Sequence, residues 1–224
     1  MSADAGADLR HVDTWLFDLD NTLYPVESGF MGEIERRITA FVMKVTGLER
    51  DEAYKLQKVY LRDHGLSLTG LQINHGVDPA EFHAAFHDLS LESLARDAEL
   101  IAALERLPGR RLIFTNADDV HARRVLDRLG LDHLFDEVFH IGSFGYVPKP
   151  DPIAFERMNA AHGVDPAATA FFEDSERNLA PAAELGMTTV LVGPHAPASS
   201  APFVQYKTDK LAPFLMGARL KDAA

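Results

Sequence analysis

The sequence predicts an α/β protein: a doubly wound parallel sheet with an all-helical domain inserted after its first strand. Three observations carry that prediction. Short apolar strand-like runs alternate with amphipathic helical segments from residue 111 to residue 192, the pattern of a parallel sheet covered on both faces. A lone apolar run, residues 12–17, stands far upstream of this alternation. Between them, residues 25–91 hold helical periodicity and no convincing strand.

Each element has a local reason. Residues 1–10, rich in Ala, Asp and Gly, are expected to be a flexible tail, and residues 12–17 a buried first strand. Phe30, Ile34, Ile38, Phe41, Val42 and Val45 recur at threes and fours, giving a helix that ends near Gly47. Asp51 is expected to cap a second helix with Leu56, Val59 and Tyr60 as its apolar stripe and Gly65 as its stop. Residues 66–76 are expected to be a turn-rich connector. Asp78-Pro79 places a cap before a proline at the first helical position, opening a helix through Phe82 and Phe86. A helix over 97–107 leads to Pro108-Gly109. Strands are then expected at 111–115, 137–141, 168–172 and 188–192. Helices fall at 120–129, 152–161 and 179–185, stopped by Gly130, Gly163 and Gly186. Residues 193–202 form a loop and 210–220 a closing helix. The division expected is a discontinuous core of 11–23 and 94–224, and a helical insertion of 24–93.

Composition narrows the function. A chain of 224 residues holds one sizeable core plus an insertion. Its net charge of −12 argues against a nucleic-acid polymer or a membrane surface as partner, since both reward clustered Lys and Arg. Any phosphate site therefore needs its own local positive charge. The absence of cysteine excludes disulfides, thiol catalysis and thiolate metal sites. Residues 1–10 are too polar for a signal peptide and no run approaches a membrane span, so a cytoplasmic location is expected.

The polar residues with chemistry fall at strand ends. Asp18 and Asp20 follow the first strand and share a face, because side chains at i and i+2 do. Two anions there repel unless one is protonated or a cation lies between them, and oxygen ligands suit Mg²⁺. Thr115-Asn116 follow the second strand, Lys149 lies past the third, and Glu173-Asp174 follow the fourth. In open α/β sheets the ligand crevice lies outside the carboxyl ends of the strands, so these segments converge. Taken singly, a helix cap explains Thr115, a solvated loop explains Lys149, and a helix N-terminus explains Glu173-Asp174.

D-L-D-N-T-L-Y-P at 18–25 resembles the first motif of the haloacid dehalogenase superfamily, whose phosphatases use an Asp nucleophile and a second Asp two residues later. The resemblance extends through T-N-A-D-D-V-H-A-R-R-V-L-D-R-L-G-L from 115, K-P-D-P-I-A-F from 149 and F-F-E-D-S-E-R-N-L from 171, which look like the pyrimidine 5′-nucleotidase branch. G-L-S-L-T-G-L from 65 and H-G-V-D-P-A-E-F-H from 75 match more loosely. It implies a Rossmann-like core, a helical cap, Mg²⁺ dependence and hydrolysis of nucleoside monophosphates such as UMP and CMP. It also implies roles. Asp18 is the nucleophile. Asp20 is acid and base, with a pKa that would have to be raised, and meets the metal through its backbone carbonyl. Asp18 and Asp174 are the carboxylate ligands; Thr115, Asn116 and Lys149 bind phosphate. Asn178 and Glu173 stand behind them; adjacent strand positions face opposite ways, so Glu173 and Asp174 need not both reach the metal. Tyr24, where cap and core join, is a candidate contact for base or sugar.

Other residues read as structural. His83 and His87 are four apart on an expected helix without a third ligand, and a solvated face is expected. His75 and His121 are expected to be surface or cap hydrogen-bonders, since the carboxylate pair already supplies acid and base. Arg36, Arg37, Lys44, Lys55, Lys58 and Arg62 suit an exposed helix face as well as a nucleotide. The expected function is a Mg²⁺-dependent phosphomonoesterase for a small molecule, with a pyrimidine nucleoside 5′-monophosphate the leading substrate. The alternatives are a phosphatase of phosphoglycolate or a sugar phosphate, a phosphomutase, a dehalogenase, a receiver-type module or a non-catalytic binder.

Overall fold

A computed structural model of the chain describes residues 6–221. These divide into two compact units, 6–25 with 95–221, and Val26–Leu94. The first is built on a six-stranded sheet in the order β3-β2-β1-β4-β5-β6. Its strands are β1 Thr14–Phe17, β2 Arg110–Phe114, β3 Glu137–Phe139, β4 Thr169–Glu173, β5 Thr188–Val192 and β6 Tyr206–Thr208. Every pairing is parallel. The order reverses between β1 and β4, which is where such sheets open a ligand crevice.

The short strands β1, β4 and β5 are buried along their whole length, as expected of strands covered on both faces. Trp15, Leu16 and Phe17 are fully buried, each side chain contributing about 1.5–3 kcal/mol by area. Phe17 stacks on Phe172 of the neighbouring strand with centroids 4.6 Å apart. Gly109 turns the chain into β2 at φ +81°, and a Cβ there would lie 2.2 Å from the Asp13 carbonyl oxygen.

The second unit holds α1 Phe30–Thr46, α2 Arg50–His64, α3 Ser67–His75 and α4 Pro79–Ala84. Helix α3 replaces the expected connector. Its Gly70 lets the helix approach Tyr60 of α2 so closely that a Cβ would sit 2.2 Å from the ring. Asp51 lies inside α2 rather than capping it, and the buried face is Ala53, Gln57 and Tyr60. Gln57 takes a 2.6 Å hydrogen bond from Thr39 of α1, so a polar pair occupies a core position. The first unit continues with α5 Ala98–Glu105, α6 Asp119–Leu129, α7 Pro152–His162, α8 Glu176–Glu184 and α9 Leu211–Gly217.

Two expectations about the ends change. Of the expected flexible tail, residues 1–5 lie outside the described residues. Residues 6–10 are held instead: Leu9 is fully buried, its N–H bonds the Arg219 carbonyl, and Arg219 N–H bonds that of Ala7. This pairing also ends α9 early, because the backbone must straighten at Ala218 to make it. The strand β6, missed in the sequence, is a three-residue edge pairing with β5.

Candidate active site

The candidate residues meet at the carboxyl ends of β1, β2 and β4, on both sides of the order reversal. Asp18 follows β1, and its N–H bonds the Phe172 carbonyl of β4 at 2.9 Å, so the backbone beneath the carboxylate is fixed. Asn21 adopts the left-handed conformation at φ 61°, which an Asn tolerates, and turns the chain sharply after Asp20. The side chain of Asn21 donates to Asp174 Oδ2 at 3.3 Å.

Lys149 organises the cluster. It is 1% exposed, so the solvated-loop reading fails. Its Nζ donates to Asp18 Oδ1 at 2.8 Å, Glu173 Oε2 at 2.8 Å and the Phe114 carbonyl at 2.7 Å. It also lies 5.0 Å and 5.3 Å from the ring centroids of Phe114 and Phe171, a favourable place for a desolvated cation. Asn116 holds the Lys149 backbone from both sides: its Nδ2 donates to the Lys149 carbonyl at 3.1 Å, and its Oδ1 accepts from the Lys149 N–H at 2.9 Å. The amide expected near phosphate is therefore engaged in placing the lysine. Thr115 is buried and its Oγ1 accepts from the Ala117 N–H at 3.0 Å, which leaves the hydroxyl hydrogen to donate elsewhere. The cap of α6 is Asp118, not Thr115.

Asp20 has a different surrounding. Its Oδ1 accepts from the Tyr24 hydroxyl at 2.7 Å and meets His121 Nε2 at 2.9 Å. Tyr24 is 3% exposed, and its hydroxyl serves Asp20 where a contact to base or sugar was expected. Burial pushes the Asp20 pKa up, but the positive His121, with hydrogen bonds from His121 and Tyr24, outweighs it and holds the carboxyl below its ordinary value. The raised pKa expected for a resting acid is thus not found. His121 is correspondingly pushed up by Asp20 against its own burial, so Nε2–H is the donor. The sequence signal for His121 was present. It lies in the first turn of a helix that starts at the carboxyl end of β2, within reach of the crevice.

The remaining carboxylates crowd one another. Oxygens of Asp18, Glu173 and Asp174 lie within 4.8 Å of each other. Burial raises Asp18 to about 7, with Glu173 adding to it and Lys149 opposing. Burial likewise lifts Glu173 to about 7, against Lys149 and with Asp174. Asp174 rises to about 6 through burial and the charge of Asp18. Fully ionised, the three carboxylates against one ammonium carry two net negative charges, which a divalent cation matches. The donor set is all oxygen, as Mg²⁺ requires, and the buried Oδ1 atoms of Asn21 and Asn178 have no hydrogen-bond partner. The residues fit such an ion. The Asp20 side chain, turned to Tyr24 and His121, leaves that residue its main-chain carbonyl for the role.

Among the described residues, no histidine belongs to this carboxylate group. Helix α4 ends at Ala84, so His83 and His87 do not share a helix. His83 is buried and packs edge-on against Phe82, contrary to the solvated face expected. His75 Nε2 lies 3.0 Å from the Tyr60 hydroxyl. Arg36, Arg37, Lys44, Lys58 and Arg62 all pair with carboxylates, as an exposed helix face does.

The family model of haloacid dehalogenase-like hydrolases matches residues 12–186. Phosphate metabolism protein 8 of Saccharomyces cerevisiae is 31% identical over 193 residues, covering 79% of this chain, which spans 60% of that protein's length. The GMP/IMP nucleotidase YrfG of Escherichia coli is 27% identical, covering 80% of this chain and 81% of its own. Among solved structures, CbbY from Rhodobacter sphaeroides in complex with phosphate shares the fold with a TM-score of 0.65 and 22% identity, over 92% of this chain and 97% of that one.

Proposed function

The chain belongs to the haloacid dehalogenase-like hydrolases, and from that premise we propose that it hydrolyses small phosphomonoesters through a covalent intermediate on Asp18. The observation that carries the reading is Lys149, buried and bonded at once to Asp18 and Glu173. A carboxylate held by a fixed cation at a strand end is positioned to attack. Lys149 also offers the positive charge that a phosphoryl group needs in a chain of net charge −12.

Asp18 attacks phosphorus as the ester oxygen leaves, and water then cleaves the aspartyl phosphate, so one hard displacement becomes two easier ones. Asp20 gives a proton to the leaving oxygen and takes one from the water. A phosphoryl dianion arriving beside Asp20 adds like charge and moves its carboxyl upward, toward the protonated form that the first step uses. Thr115 and Lys149 donate to the phosphoryl oxygens. Mg²⁺, held by Asp18, Asp174 and the Asp20 carbonyl with Glu173 behind them, would supply charge neutralisation and Lewis acidity.

A nucleoside 5′-monophosphate is the leading substrate. Supporting it are the motif resemblance to the pyrimidine branch and the relative named as a GMP/IMP nucleotidase. That relative's name points to purines, so the base is the discriminating variable. The test is phosphate release from UMP, CMP, GMP, IMP and phosphoglycolate, with Mg²⁺ or with EDTA. Preferred turnover of a nucleotide, abolished by EDTA, is expected. Phosphoglycolate preferred over every nucleotide would overturn the substrate class. Halide release from a 2-haloacid that survives EDTA would overturn the reaction class.

A further inference from the structure

We propose that Tyr24 and His121 are positioning residues that hold the Asp20 carboxylate by one oxygen, Oδ1, and thereby present the other, Oδ2, to the leaving oxygen of the substrate. The inference rests on the reading of Asp20 as the proton donor and acceptor. A carboxylate is by nature a broad two-fold rotor about its terminal torsion. Here two donors converge on the same oxygen, at 2.7 Å and 2.9 Å. They come from separate places: Tyr24 is four residues past Asp20 in the turn after β1, and His121 is in the first turn of α6. Both are buried, at 3% and 8% exposure. The His121 backbone is anchored in that turn, where its main-chain N–H bonds the Asp118 carboxylate at 3.2 Å. A rotor pinned at one oxygen from two directions has one orientation left for the other.

Orientation matters because proton transfer needs the donor within hydrogen-bond reach of the leaving oxygen, and a misplacement of about 1 Å can cost about a hundredfold. In the first step the Asp18 oxygen bonds phosphorus and the phosphorus–oxygen ester bond breaks. Its electron pair stays on the leaving oxygen, which takes the proton from Asp20. In the second, water bonds phosphorus as the bond to Asp18 breaks, and Asp20 recovers a proton from that water. A poor leaving group such as the 5′-alkoxide of a nucleotide needs the proton during bond breaking. A nitrophenolate leaves without it. Loss of positioning therefore harms the two substrates unequally, whereas general damage to the site harms them alike.

The test compares kcat/KM, which reports the transfer to Asp18, for a nucleoside monophosphate and p-nitrophenyl phosphate. His121→Ala should lose roughly 30- to 100-fold on the nucleotide and less than about threefold on the aryl ester, part of the acid contribution of about 10²–10⁴. His121→Gln, which restores an N–H donor, should recover most of the loss. Tyr24→Phe, which deletes only a hydroxyl, should show the same selectivity at about tenfold, and decides the matter if His121→Ala does not fold. Equal losses on both substrates, or no loss on either, would overturn the proposal. An unsubstituted protein that turns over neither substrate would instead end the phosphatase reading, and this one with it.

Discussion

Replacing Lys149 by Met keeps an unbranched apolar stem against Phe114 and Phe171 and deletes the charge with its three hydrogen bonds. Two buried carboxylates, Asp18 and Glu173, then lack their cation. Breaking a buried pair in this way costs about 3–5 kcal/mol. For a chain of this length each kcal/mol lowers the melting temperature by about 2–4 °C, so a drop of roughly 6–20 °C is expected near pH 8. The drop should shrink in acid. Asp18 and Glu173 are lifted from 3.8 and 4.5 to about 7 even with Lys149 in place, and removing it lifts them further. Across that interval the folded state binds more protons than the unfolded one, so stability declines as pH rises. Near pH 5.5 the carboxyls are protonated and need no partner. Calorimetry at both pH values reads the effect, and phosphate release should fall by about 10²–10³. A variant that melts within 2 °C of the parent at both pH values, or keeps full activity, would refute the reasoning.

Three further outcomes follow from other parts of the structure. Asn116→Ala removes both bonds that hold the Lys149 backbone, and at about 0.5–1.5 kcal/mol each should cost about 1–3 kcal/mol in chemical denaturation. It should lower kcat more than it raises KM. Leu9→Ala should cost about 2–4 kcal/mol without changing activity per folded molecule, and a cost below about 0.5 kcal/mol would return that segment to a frayed tail. Mg²⁺ at about a hundred times its dissociation constant should add about 2.7 kcal/mol of stability. The gain should be larger near pH 8 than near pH 5.5, because the carboxylates must shed protons to bind it; thermal melts with and without EDTA measure it.

The sheet was legible in the sequence because its central strands β1, β4 and β5 are buried along their whole length and two of its helices end at Gly130 and Gly163, both left-handed C-caps. Convergence of Asp18, Lys149, Glu173 and Asp174 was legible from the position of each past a strand. What failed depends on partners distant in the chain. Residues 66–76 read as a connector until Gly70 is seen against Tyr60, and Leu9 reads as tail until Arg219 is seen beside it. The edge strand β6 is too short for a period. At the site, residue type was informative and partner choice was not. Asn116 serves a lysine backbone, Tyr24 a carboxylate, and His121 joins Asp20 across 101 positions. No spacing rule encodes such pairings, since only the fold brings them together.

Acid quenching during turnover of a phosphomonoester, followed by borohydride reduction and peptide mass spectrometry, most directly tests whether phosphorus is transferred to Asp18. An acyl phosphate is reduced to the alcohol, so homoserine at position 18, dependent on substrate and absent from Asp18→Asn, is the result predicted. Reduction at another carboxylate, or turnover by Asp18→Asn equal to the parent, would contradict the account.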